Sequence, residues 1–390
     1  MSEYDSHFRQ LAKDALVPTT EDEINAEFDK VRTDSGLTIT NANAFGPFWR
    51  FVKAAATTAA AWLIEFVITS VLPQAFVITA TGVYLDIHAR AVGLTRKSAT
   101  KAIGVIAFNR ASTSGTLIIP IGTVIQSISI DGHTYKLITT AEGVFNDTVA
   151  SINIAVEAMG TGEAYNLAGG YYTVLVAAIE GVTVLNAPDW LTSPGANQEK
   201  NEDLRSRIKN QYSAVGQWHT DAVYRSIITS FKSVTIDNVY FDHEPIRKNG
   251  GADAYILLNT GNAPQSFIDE IQSEITDKGN HGHGDDLKIF PMPETTHNVV
   301  ATVWPIAGLS ASENTALLNN VEQFIRCAFR ENTDYKPTQT LPWDFFSFSL
   351  LSQELHDQFP NLKNVGFDLT HIDSAMDIPR LNTLTVNQHA

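Results

Sequence analysis

Residues 119–135 read IPIGTVIQSISIDGHTY. Through Val124, Ile125, Ser127, Ile128 and Ile130 apolar and small polar side chains alternate with a period of two, the spacing of a half-covered strand. Pro120 has no amide to donate, which suits the edge or first position of a strand, while Gly122 and Gly132 admit turn or bulge backbone that a side chain forbids. IPIGT therefore reads as a turn that opens an edge strand.

The surroundings extend this reading. Residues 101–192 hold ten charged side chains in ninety-two positions and are rich in Val, Ile, Thr, Ser and Gly, with turn signals at STSG, DGHT, FNDT and LAGG. A β domain is expected there. After residue 195 the period changes: Leu204, Ile208 and Tyr212 are four apart, and Asn201 is placed to cap a helix. A helix near Thr220, strands at VTIDNVYF and AYILLN, a helix from Pro264 stopped by Gly279, and a strand at DLKIF make one α+β set. A second set follows: NVVATVW as strand, a helix opened by Ser310 and Glu313 in capping-box spacing, a helix after Asp344, and NLKNVGF as strand.

The front of the chain differs. Residues 1–35 carry nine acids against four bases and read as an extended or helical arm. Residues 54–85 contain a single charge, Glu65. That run is long enough for a membrane span, but Pro73 costs about 3 kcal/mol in a helix interior and no basic cluster flanks it. The alternative is a helix of a bundle. Val52, Ala56, Ala59, Leu63 and Phe66 recur at helical spacing with Trp49 and Trp62 beside them, a stripe for other helices, including those of a partner chain. The fold class is thus α+β and multidomain: an N-terminal helical arm and bundle helix in 1–96, a β-rich domain in 97–192, and α+β modules in 193–295 and 296–390.

Composition restricts function. With 27 basic against 43 acidic residues the net charge is −16, opposed to a phosphate backbone, so nucleic acid is not an expected partner. Cys327 is the only cysteine, which excludes an intrachain disulfide, and the first ten residues lack the apolar core of a secretory signal; synthesis in a reducing cytoplasm is expected. In NHGHGDDL, His281, His283, Asp285 and Asp286 are possible metal ligands, yet alternation with Gly282 and Gly284 describes a turn, and no metal or cofactor is assigned. Asp242, His243 and Glu244 read as a solvated hairpin tip. GTGEAYN has Tyr165 where a dinucleotide fingerprint needs glycine, and no nucleophile elbow, H-E-x-x-H helix or phosphate loop occurs. Catalysis is not expected.

The run FVITATGVYLDIHARAVGLTRKSATKAIGVIAF, residues 76–108, carries Gly82, Leu85, Asp86, Gly93 and Arg96. IPIGT with Pro120 and Gly122, VEAMGTGEAYNLAGG, and GANQEKNEDLRSRI follow in order. Together they resemble the baseplate J-like family of contractile phage tails and related injection machines. The resemblance departs at Asn197, where the family usually has Asp, and at Lys200, which interrupts the acidic cluster. Locally, Asp86 is placed to bind backbone amides or to pair with Arg90, and Gly93 suits a left-handed helix end.

The resemblance implies a structural wedge protein located in the virion tail baseplate. It implies two copies joined to a smaller wedge partner, wedges linked in a six-fold ring around a hub, and rearrangement that releases sheath contraction. SPGANQEK and GNHGHGD are candidate hinges. The alternative is a β-rich carbohydrate-binding or carbohydrate-degrading tail component with Trp190, Trp218 and Trp304 as stacking platforms.

Overall fold

The computed structural model describes residues 3–36, 46–213, 220–244, 251–282 and 284–389. The chain separates into two compact units, Met1–Arg96 with Lys200–Tyr212, and Lys97–Glu199 with Ser213–Ala390. The architecture is α+β.

The first unit is helical: α1 (Glu3–Asp14), α2 (Glu21–Asp34), α3 (Pro47–Phe66), α4 (Gly82–Ala91) and α5 (Asn201–Ser213). Thr20 and Glu23 form a capping box at the start of α2, each satisfying an amide the other's backbone leaves open. Pro47 occupies the first turn of α3, where a missing amide costs nothing. Beyond Phe66 the helix continues through a π turn, Val67–Val71, and tightens into a 3-10 turn, Leu72–Ala75; Pro73 falls in this last turn, where the helix stops. At the end of α4, Gly93 has φ +76° and its N–H donates to Arg90 O at 3.1 Å, while Leu94 N–H donates to Ala89 O at 2.9 Å. Leu85 and Ala89 of α4 are buried together with Leu204 and Ile208 of α5. Arg205 ties α5 down further, donating from Nε to Val77 O at 2.8 Å and from Nη2 to Ala80 O at 2.9 Å. By packing, α5 joins the first unit, although it lies among residues 193–295 in sequence.

The second unit begins with an antiparallel β domain: β1 (Ile103–Arg110), β2 (Leu117–Ile119), β3 (Val124–Ser127), β4 (Lys136–Thr139), β5 (Gly143–Phe145), β6 (Ser151–Ala158), β7 (Tyr172–Leu175), β8 (Val182–Leu185) and β9 (Leu191–Ser193). Its main sheet runs β7-β3-β4-β6-β1-β8, with β9 also on β1 and with β2 and β5 paired separately. Alternate residues point inward, so Phe108, Ile125, Leu137, Val156, Tyr172 and Trp190 share one core. Pro120 and Gly122 (φ +87°) lie in the turn between β2 and β3. The expected edge strand is corrected here. β3 is interior, because β7 arrives from nearly fifty residues downstream and pairs Ile125 with Leu175 on its free side.

The rest of the second unit carries α6 (Asp221–Ile228), β10 (Val239–Asp242), β11 (Gly251–Ile256), α7 (Gln265–Thr276) and β12 (Asp286–Pro291) around the sheet β10-β11-β12. Then come β13 (Glu294–Pro305), α8 (Ala311–Ala328), β14 (Phe345–Ser347), α9 (Phe348–Gln358), β15 (Leu362–Phe367), β16 (His371–Asp373) and β17 (Ile378–Gln388). Here the sheet order is β15-β13-β17, with β13 and β17 parallel. The capping box at Ser310 and Glu313 stands as the spacing predicts. Side chains seam these modules to the β domain: Tyr135 Oη donates to Asp334 Oδ1 at 2.5 Å, and Asn259 Nδ2 donates to Glu163 Oε2 at 3.0 Å.

Candidate assembly surface

α3 buries little of itself. Its own unit covers Thr57, Ile64 and Ile68, the last packed with Phe8, Ala12 and Leu72. The stripe read from the sequence faces elsewhere: Trp62 is 77% exposed, Leu63 59% and Phe66 50%, Ala56 and Ala59 are exposed, and Val52 is half-buried. The Trp49 side chain lies outside the described residues. Phe48, Phe51, Val67 and Val71, not singled out from the sequence, are exposed on the same helix and its continuation. So are Val83, Tyr84 and Ile87 of α4. Large apolar side chains thus stand exposed close together on α3, its continuation and α4.

Arg50–Ala75 spans 26 residues, and its most apolar 18-residue stretch has a mean hydropathy of 1.6, long and apolar enough by length and composition to cross a membrane. Two of its charges are matched by neighbouring helices: Glu65 pairs with Arg9 of α1 at 2.5 Å, and Lys53 with Asp29 of α2 at 2.7 Å. Polar helices thus lie along the apolar one.

The motif residues have structural partners. Asp86 does not pair with Arg90. It accepts from Arg96 Nε at 2.8 Å, and Arg96 Nη2 also donates to Asn201 Oδ1 at 2.9 Å. Gly93 reverses the chain after α4, which brings Arg96 back beside Asp86, whereas Arg90 is exposed. Asn201 is itself the first helical residue of α5, so its amide holds Arg96 instead of capping. Gly82 opens α4 with φ +54°. Asn197 donates from Nδ2 to Glu163 Oε1 at 2.8 Å and accepts from Glu163 N–H at 3.3 Å. An Asp there would set a second carboxylate against Glu163, so Asn suits this chain.

The candidate chemical sites are occupied otherwise. Trp190 is 3% exposed, donates from Nε1 to Leu167 O at 2.8 Å and meets Tyr172 edge-on, so it is core and offers no platform for a sugar. Trp304 stacks on His389 with centroids 4.7 Å apart, and Trp218 lies outside the described residues. Asp285 accepts from Tyr224 Oη and from Gly282 N–H, His281 Nδ1 lies 2.9 Å from Gly282 O, and His283 lies outside the described residues. Among the described residues no three His, Cys, Asp or Glu gather around a common point. His243 pairs with Asp221 at 3.3 Å, and Glu244 N–H donates to Asp242.

Two titratable groups, half-buried Asp334 and buried Cys327, shape the second unit's interior. Burial raises the Asp334 carboxyl above its ordinary range, with nearby Asp131 adding to the rise and the hydrogen bond from Tyr135 opposing it. Burial likewise pushes the Cys327 thiol up to about 11; its Sγ donates to Tyr335 O at 3.3 Å.

The family profile described as "Baseplate J-like protein barrel domain" matches residues 105–193, the β domain. The chain is 40% identical over 360 residues to "Putative baseplate protein gp29" of Haemophilus phage HP1 (strain HP1c1), covering 90% of this chain and 91% of that protein. Among solved structures it is similar to a chain of the anti-feeding prophage (AFP) baseplate, 6-fold symmetrised, at 9% identity and a TM-score of 0.34, covering 83% of this chain and 86% of that one. The chain belongs to the baseplate J-like family of phage baseplate proteins.

Proposed function

We propose that the chain is a structural wedge protein of a contractile phage tail baseplate, non-enzymatic, located in the virion. In this reading it joins a second copy and a smaller wedge partner, links neighbouring wedges into a ring around the hub, and rearranges to release sheath contraction. Residues 1–96, 97–192, 193–295 and 296–390 act as its modules, except that α5 packs with the first. The observation that carries this reading is the uncovered face of α3.

Burying one large apolar side chain contributes about 1.5–3 kcal/mol, and several stand exposed here on one helix. Helices of neighbouring subunits are the occupants that fit. A bilayer would also accept the apolar face, but Glu65 and Lys53 are held by ion pairs to the polar helices α1 and α2, which would have to enter with them. The test is Trp62→Asp in the full chain, followed by light scattering with the partner baseplate proteins. Loss of assembly with unchanged circular dichroism supports the reading. Undiminished assembly, or partitioning of the parent chain into lipid vesicles, defeats it.

A further inference from the structure

We propose that the free edge of β17 docks β17 of a second copy of this chain, antiparallel about a two-fold axis passing between the two Thr385 residues. This contact lies outside the α3 surface and does not depend on it.

β17 is the outer strand of its sheet. From Thr383 to Gln388 it pairs with Asn298 to Val303 of β13, and among the described residues no other backbone group bonds to that stretch. Alternate N–H and C=O groups of such a strand point away from its single neighbour, forming a template for another strand. The core beneath is open on the same flank. Val299, Ala301 and Val303 of β13 are fully buried, whereas Leu384 and Val386 of β17 pack on that core and are only partly covered.

The usual protection of an edge is lacking. Residues 381–388, LNTLTVNQ, contain no charge and no proline, and the one irregularity is a bulge opposite His297 and Asn298, before the straight part begins. In a chain of net charge −16, a neutral strip is a place where two copies approach without mutual repulsion.

The pattern of side chains selects the occupant. Residues opposite each other in an antiparallel pair point to the same face, so an inward apolar residue must meet an inward apolar residue. Centred on Thr385, the sequence Thr-Leu-Thr-Val-Asn of 383–387 is complementary to itself. Leu384 meets the partner's Val386 over the helix layer, Thr383 meets the partner's Asn387 outside, and Thr385 meets its own copy. Two three-stranded sheets become one of six strands. Any other register with apolar residues facing apolar ones shifts by two and leaves one apolar position uncovered.

The experiment uses the full chain with Thr385→Cys, an exposed position, while the native Cys327 is buried and silent. Mild oxidation is expected to give a covalent dimer from Thr385→Cys. Thr383→Cys and Asn387→Cys are each expected to stay uncrosslinked alone and to crosslink when mixed. Thr385→Lys, which sets two ammonium groups face to face, is expected to weaken dimerisation about tenfold by light scattering. A Thr385→Cys chain that remains monomeric, or one that crosslinks no better than Thr383→Cys alone, overturns the proposal. Repeating the oxidation with Trp62→Asp added separates the two surfaces: persistent crosslinking supports strand pairing in its own right, and its disappearance overturns it as an independent contact.

Discussion

Gly104→Ala tests how the β domain is closed. A Cβ at Gly104 falls 2.4 Å from Trp190 O and 2.5 and 2.8 Å from two carbons of the Trp190 ring. Neither neighbour yields easily. The carbonyl accepts from Val105 N–H at 2.7 Å, and the ring is fixed by its bond to Leu167 O and by Tyr172 against its edge. The added methyl therefore forces β1 away from the segment at Trp190. Overpacking of this kind costs about 1–3 kcal/mol, and the strained backbone hydrogen bond adds about 1 kcal/mol, for a total of roughly 2–4 kcal/mol. In a unit of this size that lowers Tm by roughly 4–16 °C. Gly122→Ala is the control, because a Cβ there meets nothing within 4 Å and the cost comes from φ +87° alone, about 1–2 kcal/mol. Calorimetry of both variants against the parent decides. A Gly104→Ala chain that melts with the parent, or above Gly122→Ala, refutes the packing argument.

Other outcomes follow from the same packing. Trp62→Asp should leave Tm unchanged, since 77% of the residue is already in water, yet weaken assembly about 100-fold or more by sedimentation. Thr385→Cys should form a covalent dimer on oxidation, read as a doubled mass on a non-reducing gel. Because the folded state raises the Asp334 pKa, that carboxyl's contribution to stability is present below the ordinary Asp range and is lost as pH rises through the raised value. Asp334→Asn, which keeps an acceptor for Tyr135, should remove this fall, and urea midpoints for parent and variant that run parallel from acid to neutral pH count against it. Cys327, buried with its thiol raised to about 11, should resist a thiol reagent in the native chain and react once denaturant is added.

Local chemistry was legible in the sequence where its partners are close along the chain. The capping box at Ser310 and Glu313 and the turn glycines Gly93 and Gly122 each depend on a few neighbouring residues, and the structure places them as the spacing predicts. The helical spacing of the apolar residues on α3 was legible too, whereas the exposure of Trp62, Leu63 and Phe66 depends on which other helices pack there and emerges only from the structure. Non-local partners were not legible. Asp86 meets Arg96 only after the turn at Gly93, and β3 becomes interior only when β7 arrives. β17 went unread because its bulge near Asn382 breaks the alternation and its polar residues dilute the rest. The Thr20 and Glu23 box sat within an acidic arm whose charge obscured the capping pattern.

The return of α5 to the first unit sets a timetable for biosynthesis. Leu85 and Ala89 have no lid until Leu204 and Ile208 have been translated, more than a hundred residues later. At about 5–20 residues per second that is a delay of roughly 6–25 seconds, during which the nascent front end stays unfinished while the whole β domain emerges. Those α4 side chains therefore stay bare for longer than a local hairpin would leave them, and the late arrival of α5 decides when the front end closes.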